Sequence, residues 1–290
     1  MILITGATGQ LGQRVVQHLA ARLPRAGAGQ LAVSVRDAAR AQNLAARGID
    51  VRQGNFDEPE ALQIAFAGAE RLVLISTDSP KAMRIVQHRN AIEAARAAGV
   101  KHIFYTSFLD ADAHSPSEFA QVHAATEADL AASGLAYTLL RNGMYADFLP
   151  MTFAGALETG VLNLPAGQGK VSYLSRNELA QAIAAAAVAP RLEKQVYELT
   201  GQTAHDYREI VAKVGAATGK TLRYEAVSED AYVQALEGFG VPAWLARALA
   251  NMYSAAAENR FARSTNDFAA LVGHPPKSID CLVAEFFRAP

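Results

Sequence analysis

The chain has one cysteine, one tryptophan and almost no net charge. Cys281 stands alone, which excludes an intrachain disulfide and any cluster of cysteine ligands around a metal, and suits a reducing compartment. Its helical context predicts a buried side chain. Lysine and arginine number 27 against 28 acidic residues and are scattered, so the basic footprint that nucleic acid or an anionic membrane would require is missing. No apolar run reaches membrane-spanning length, and the opening residues enter a strand pattern without a charged leader. A cytoplasmic protein is expected, with no membrane partner and no nucleic-acid partner. Over 290 residues, a hydrophobic share of 51% is enough to bury one large core, or one core and a smaller lobe.

Glycine, by contrast, is concentrated where it matters. Thr5-Gly6-Ala7-Thr8-Gly9-Gln10-Leu11-Gly12 lies between the apolar run Ile2-Leu3-Ile4 and a helical pattern through Val15, Val16 and Leu19. Strand, tight turn and helix N-terminus in that order form a pyrophosphate cradle: glycine lets the backbone bend and approach, while free amides and the positive end of the helix dipole hold the anion. Gly6, Thr8, Gly9, Gln10, Leu11 and Gly12 are therefore candidate cofactor residues. The alternative is a glycine-rich turn that binds nothing.

Further apolar runs occur at Leu31–Val35, Leu72–Ile75, His102–Tyr105 and Tyr137–Leu140, with a shorter one at Ile49–Val51, and alanine-rich helical segments separate them. Strands apolar on both faces, alternating with helices, predict an α/β protein with a Rossmann-type doubly wound parallel sheet. Gly99 and Gly134 read as helix ends before strands. After about residue 143 the rhythm changes to helices, short glycine-rich links and isolated strands such as Gln195–Thr200. The expected division is a dinucleotide-binding domain over 1–150, joined by the 176–190 helix, and a smaller, mostly helical C-terminal lobe over 151–290.

Arg36 follows the second strand, where an acid would accept the ribose 2′-hydroxyl of NAD; arginine suits the 2′-phosphate of NADP instead. Arg40 adds to that preference and Asp37 opposes it, while a solvated loop charge is the alternative. Asn55 and Phe56 fall at the expected height of the adenine. Ser76 and Thr77 end the fourth strand and Thr106 the fifth, at the carboxyl edge where open α/β sheets bind ligands; serine and threonine also cap helices.

Ile4–Gly12, Val35-Arg36-Asp37, Gln87-His88-Arg89-Asn90, His123-Ala124-Ala125-Thr126-Glu127 and Leu140–Tyr145 together resemble the NmrA-like atypical short-chain dehydrogenases. Within that family the likeness is to the quinone-reducing and triphenylmethane-dye-reducing members. It runs nearly end to end, through Val196–Leu199 and Leu271–Pro275. The resemblance implies a Rossmann domain, a small C-terminal lobe, an active cleft between them and NADPH across the strand ends.

Typical short-chain dehydrogenases carry tyrosine and lysine four apart on the helix after the fifth strand. Here the corresponding positions hold His123 and Glu127, which share a helix face as either a proton-donating imidazole–carboxylate pair or a structural one. Without the tyrosine and lysine an unactivated ketone is a poor substrate, whereas a quinone is already electron-poor and a triarylmethyl cation needs no proton. Asn142 and Tyr145 are the candidates for the nicotinamide and acceptor side, with His123 beside them. Phe148, Trp244 and Met252 offer an apolar wall or belong to the core.

These residues predict an NADPH-dependent reductase, with NADH as the weaker donor, acting on a small aromatic electrophile such as a quinone without flavin or metal. A triarylmethane dye reductase and a non-catalytic NAD(P) redox sensor that acts through a protein partner are the alternatives. An aryl-ether reductase would need a lysine that is absent between Phe108 and Ala124. A homodimer is the expectation left open.

Overall fold

In the computed structural model, which describes residues 1–23 and 29–288, the apolar runs are strands and the alanine-rich stretches are helices. The chain begins β1 (Ile2–Thr5), α1 (Gln10–Arg22), β2 (Leu31–Val35), α2 (Gln42–Ala45), β3 (Asp50–Gln53), α3 (Pro59–Phe66), β4 (Arg71–Leu74) and α4 (Lys81–Ala97). It continues through β5 (His102–Phe108), α5 (Glu118–Ala132) and β6 (Ala136–Asn142). β7 (Met144–Tyr145), α6 (Leu149–Thr159), β8 (Val161–Leu164), β9 (Lys170–Val171) and β10 (Tyr173–Leu174) come next. After α7 (Arg176–Val188) and β11 (Val196–Leu199), the chain ends in β12 (His205–Asp206), α8 (Tyr207–Thr218), β13 (Arg223–Ala226), α9 (Glu229–Gly238), α10 (Ala243–Ala257), α11 (Asp267–Val272) and α12 (Ile279–Phe287).

The main sheet has seven strands in the order β11-β6-β5-β4-β1-β2-β3, and β1 to β6 pair in parallel. Strand order reverses between β1 and β4, the switch point beyond whose carboxyl ends ligands lie in such sheets. Leu3, Leu72, Leu74, Ile103 and Leu139 pack one face of the sheet against Leu62 and Phe66 of α3, Ile92 and Ala95 of α4 and Leu130 of α5. α7 packs on α1 and against β4 and β5. Arg71 of β4 donates to the carbonyls of Ala187 and Ala189, 2.7 and 2.8 Å away, so a cation closes the negative C-terminal end of α7.

The chain divides into two compact units. The first comprises Met1–Phe108, Val122–Asn142 and Arg176–Tyr197; the second comprises Leu109–Gln121, Gly143–Ser175 and the chain from Glu198 onward. Residues 109–121 and 143–150 thus fall on the other side of the division expected at 150.

One expectation is corrected here: Gln195–Thr200 is no isolated strand of the C-terminal lobe. It forms β11, at the edge of the main sheet beside β6, where the Leu139 amide donates to the Gln195 carbonyl at 2.8 Å. More than fifty residues separate these partners, so nothing local in the sequence marks the pairing.

The second unit holds three two-stranded pairs, β10–β7, β12–β9 and β13–β8, with α6 and α8 to α12. Phe153, Tyr207, Ile210, Val214 and Phe261 are fully buried in it, and the Tyr173 and Tyr207 hydroxyls bond at 2.8 Å. Cys281 corrects a second expectation, because it is exposed. α12 turns Ile279, Leu282 and Val283 inward, and Cys281 lies outside that stripe. Among the described residues no helix is long and apolar enough to cross a membrane.

Candidate active site

The glycine turn links β1 directly to the N-terminus of α1. Gly6 has φ +63°, a conformation that side chains resist, and its carbonyl accepts from the Gly9 amide at 3.0 Å. Gly9 is the N-cap of α1 and offers no side-chain cap, which leaves the first-turn amides to a ligand. A Cβ on Gly12 would sit 2.1 Å from the Gly6 oxygen, so helix and turn are packed as closely as backbone allows. Leu11 and Gly12 are buried and offer a ligand only backbone, whereas Gln10 is exposed and Thr8 partly so.

At the ends of β2 and β3, Arg36, Gln53, Asn55, Glu58, Ala61 and Ile64 line a shallow hollow. The Asp37 carboxylate accepts from the Ala39 amide at 3.0 Å, capping its own turn. It is thereby drawn into local structure, as is Asn55, whose amide nitrogen bonds Glu58 at 2.9 Å and whose oxygen accepts from the Asp57 amide at 3.2 Å. Phe56 packs against the core and its carbonyl accepts from Asn90 at 2.9 Å. Asn55 lines the hollow, whereas Phe56 belongs to the core beside it.

Beyond β4 and β5 the hydroxyl residues are tied together. Thr5 Oγ1 accepts from the Ile75 amide at 3.0 Å, and Thr106 Oγ1 accepts from the Ser76 amide at 3.0 Å. Thr106, only 3% exposed, thus fixes the course of the chain after β4. The Thr77 amide donates to His88 Nε2 at 3.1 Å, while Arg84 donates to Ser76 Oγ from Nη2 at 2.5 Å and from Nε at 3.2 Å.

These bonds set the protonation of a buried cluster. An amide only donates, so His88 Nε2 is an acceptor; its proton lies on Nδ1, 2.8 Å from Thr126 Oγ1. Burial, with the Arg84 charge second, lowers the His88 pKa to about 3. His123 is held between the Tyr105 hydroxyl, 2.8 Å from Nδ1, and Arg84 Nη2, 3.4 Å from Nε2, with Phe108 against its ring. Burial, then Arg84 and His88, holds its pKa well below the ordinary histidine value, so it is neutral. Burial pushes the Tyr105 phenol up.

His123 and Glu127 therefore do not form the imidazole–carboxylate pair considered from their spacing. Glu127 is engaged by Arg141, with Nε–Oε1 at 2.9 Å and Nη2–Oε2 at 2.6 Å, and accepts from Ser107 Oγ at 2.6 Å. The bidentate pair ties α5 to β6, and the Ser107 bond ties it to β5.

Asn142 closes β6 opposite Phe108 and is 1% exposed. Tyr145, in the second unit, stacks on Phe148 with rings 5.9 Å apart and 3° from parallel. Phe148 and Trp244 are exposed, while Met252 is buried in α10. Among the described residues no group of three histidine, cysteine or acidic side chains is arranged to hold a metal.

Sequence reading did not single out Arg84 or Tyr105, and assigned no role to His88. The available signal was the four-residue spacing of Arg84 and His88, which puts both on the face of α4 toward the strand ends.

A parallel sheet whose strand order reverses beside an uncapped, glycine-lined helix N-terminus defines a dinucleotide-binding α/β protein. The chain belongs to the NmrA-like family, whose profile matches residues 1–272. It is 41% identical to quinone oxidoreductase 2 of Escherichia coli over 99% of both chains. It is 32% identical to the NAD(P)H azoreductase of Xenophilus azovorans, covering 100% of this chain and 97% of that one. Among solved structures, the E. coli NADPH-dependent quinone oxidoreductase complexed with NADPH superposes with a TM-score of 0.93 at 40% identity, over 99% of this chain and all of that one. The Citrobacter triphenylmethane reductase complexed with NADP(H) gives 0.91 at 35% identity, with the same coverage.

Proposed function

We propose that this chain is an NADPH-dependent quinone reductase in which hydride passes directly from nicotinamide to quinone, with no flavin or metal between them. The observation that carries the reading is the turn in which Gly12 admits no side chain and Gly9 leaves the helix uncapped. It occurs in a chain with end-to-end likeness to a quinone oxidoreductase. When bound, NADPH supplies a hydride.

Gly6, Thr8, Gly9, Gln10, Leu11 and Gly12 hold the pyrophosphate, largely through backbone. Arg36 meets the 2′-phosphate, so NADPH is used better than NADH. Ser76, Thr77 and Thr106 hold the chain after β4 in place beside the cofactor. Asn142 and Tyr145 orient the acceptor, whose electron-poor carbonyls need hydrogen-bond donors rather than a strong acid. His123, neutral and doubly hydrogen-bonded, acts as a positioning residue. Likeness to the Citrobacter reductase favours one second reading, reduction of a cationic triarylmethane dye.

Replacing Asn142 or Tyr145 by alanine is expected to lower kcat/KM for a quinone by about 10- to 100-fold, with the Kd for NADPH held within about threefold. Normal turnover in both variants would contradict the acceptor-site assignment.

A further inference from the structure

Arg84 brings a permanent positive charge to the carboxyl end of β4. The guanidinium is partly buried and doubly bonded to Ser76 Oγ, and Nη2 also reaches the Nε2 of His123. Ser76 and His123, both neutral, fix its direction. That charge is felt through the cluster: after burial it is the next cause depressing both His88 and His123. It is thus an oriented cation beside the strand ends where a sheet of this order receives its ligands.

We propose that Arg84 sets the charge class of the acceptor, stabilising the anion formed when a neutral quinone is reduced and disfavouring a cationic acceptor. The inference rests on the reductase reading and deepens it. In the reaction the C4–H bond of the dihydronicotinamide breaks and its electron pair and hydrogen move to the acceptor, which is reduced while the nicotinamide is oxidised to the pyridinium. A neutral quinone thereby gains one negative charge on oxygen, which a proton from water then neutralises. A triarylmethyl cation instead forms one C–H bond and becomes neutral. A fixed guanidinium lowers the barrier to the first reaction and repels the substrate of the second.

Arg84→Gln keeps a hydrogen-bond donor for Ser76 without the charge, and Arg84→Lys keeps the charge. Each is compared with the parent chain in three measurements: kcat/KM for a neutral quinone and a cationic triarylmethane dye, the Kd for NADPH by fluorescence, and the ionisation of p-nitrophenol bound to the NADP⁺ complex by absorbance. In Arg84→Gln quinone kcat/KM is expected to fall by about 100-fold. The dye-to-quinone ratio rises by at least about tenfold. NADPH affinity stays within about threefold, and bound nitrophenol ionises at higher pH than in the parent. Arg84→Lys retains most of the quinone preference.

Equal losses on both acceptors, or identical nitrophenol ionisation in the parent and Arg84→Gln, would overturn the role of Arg84 alone. A parent chain that reduces neither acceptor would overturn the reductase reading, and this role with it.

Discussion

Gly12 leaves no room for a side chain, because an added Cβ would meet the Gly6 carbonyl at 2.1 Å. Gly12→Ala must displace the turn or the helix, at a cost of about 1–3 kcal/mol, and with it the amides aimed at the pyrophosphate. Denaturant unfolding should register that loss, and a fluorescence titration should find NADPH binding abolished. Arg36→Glu should invert the donor preference, lowering NADPH affinity by about 1.5–3 kcal/mol through loss of a charged hydrogen bond. Comparing kcat/KM for NADPH and NADH checks it.

The buried histidines predict a pH effect of definite sign. His88 has a folded pKa of about 3 against an ordinary 6.5, so between those values the unfolded chain binds the extra proton. Stability is fully present above about pH 6.5 and drains as the pH falls toward about 3, at roughly 1.4 kcal/mol per pH unit. His123, also depressed, steepens the slope. Unfolding titrations at about pH 7 and about pH 5 should show it, and His88→Asn should flatten it. A slope unchanged by that substitution would contradict the buried, neutral assignment.

Among the elements, α5 shows what spacing can and cannot say. The separation of His123 and Glu127 put both on one helix face, but their partners come from other elements: Tyr105 from β5 and Arg84 from α4 for the histidine, Arg141 from β6 and Ser107 from β5 for the glutamate. Glu127→Gln removes the bidentate ion pair and should cost about 1.5–3 kcal/mol in chemical denaturation while kcat for quinone changes little. A large loss of kcat without loss of stability would restore Glu127 to the chemistry. The glycine turn and β1 to β6 were legible because each is encoded locally, by an apolar run, a glycine or a helix end. β11 was not, since its partner lies across a long excursion of chain. Arg84 and Tyr105 were not, since an arginine on a helix and a tyrosine in an apolar strand look ordinary until the sheet brings them together. Cys281 was misread because burial depends on which face α12 turns inward.

For the whole molecule, two compact units are built from interleaved stretches of chain, and the first carries the entire glycine turn, the 2′-phosphate candidate and the buried histidine cluster. Near-zero net charge leaves no long-range pull on a charged partner, so acceptor choice rests on local groups. The missing tyrosine–lysine pair then has a chemical counterpart: the acceptor must be electrophilic enough to accept hydride from NADPH without a strong acid.

The most direct measurement follows nicotinamide absorbance with the purified full chain, free of added flavin, comparing NADPH with NADH and offering a simple quinone, a triarylmethane dye or no acceptor. Quinone-dependent oxidation that prefers NADPH, in protein without flavin absorbance, is the result predicted. Tight NADPH binding with no turnover on either acceptor would contradict the reductase and leave a dinucleotide sensor in its place.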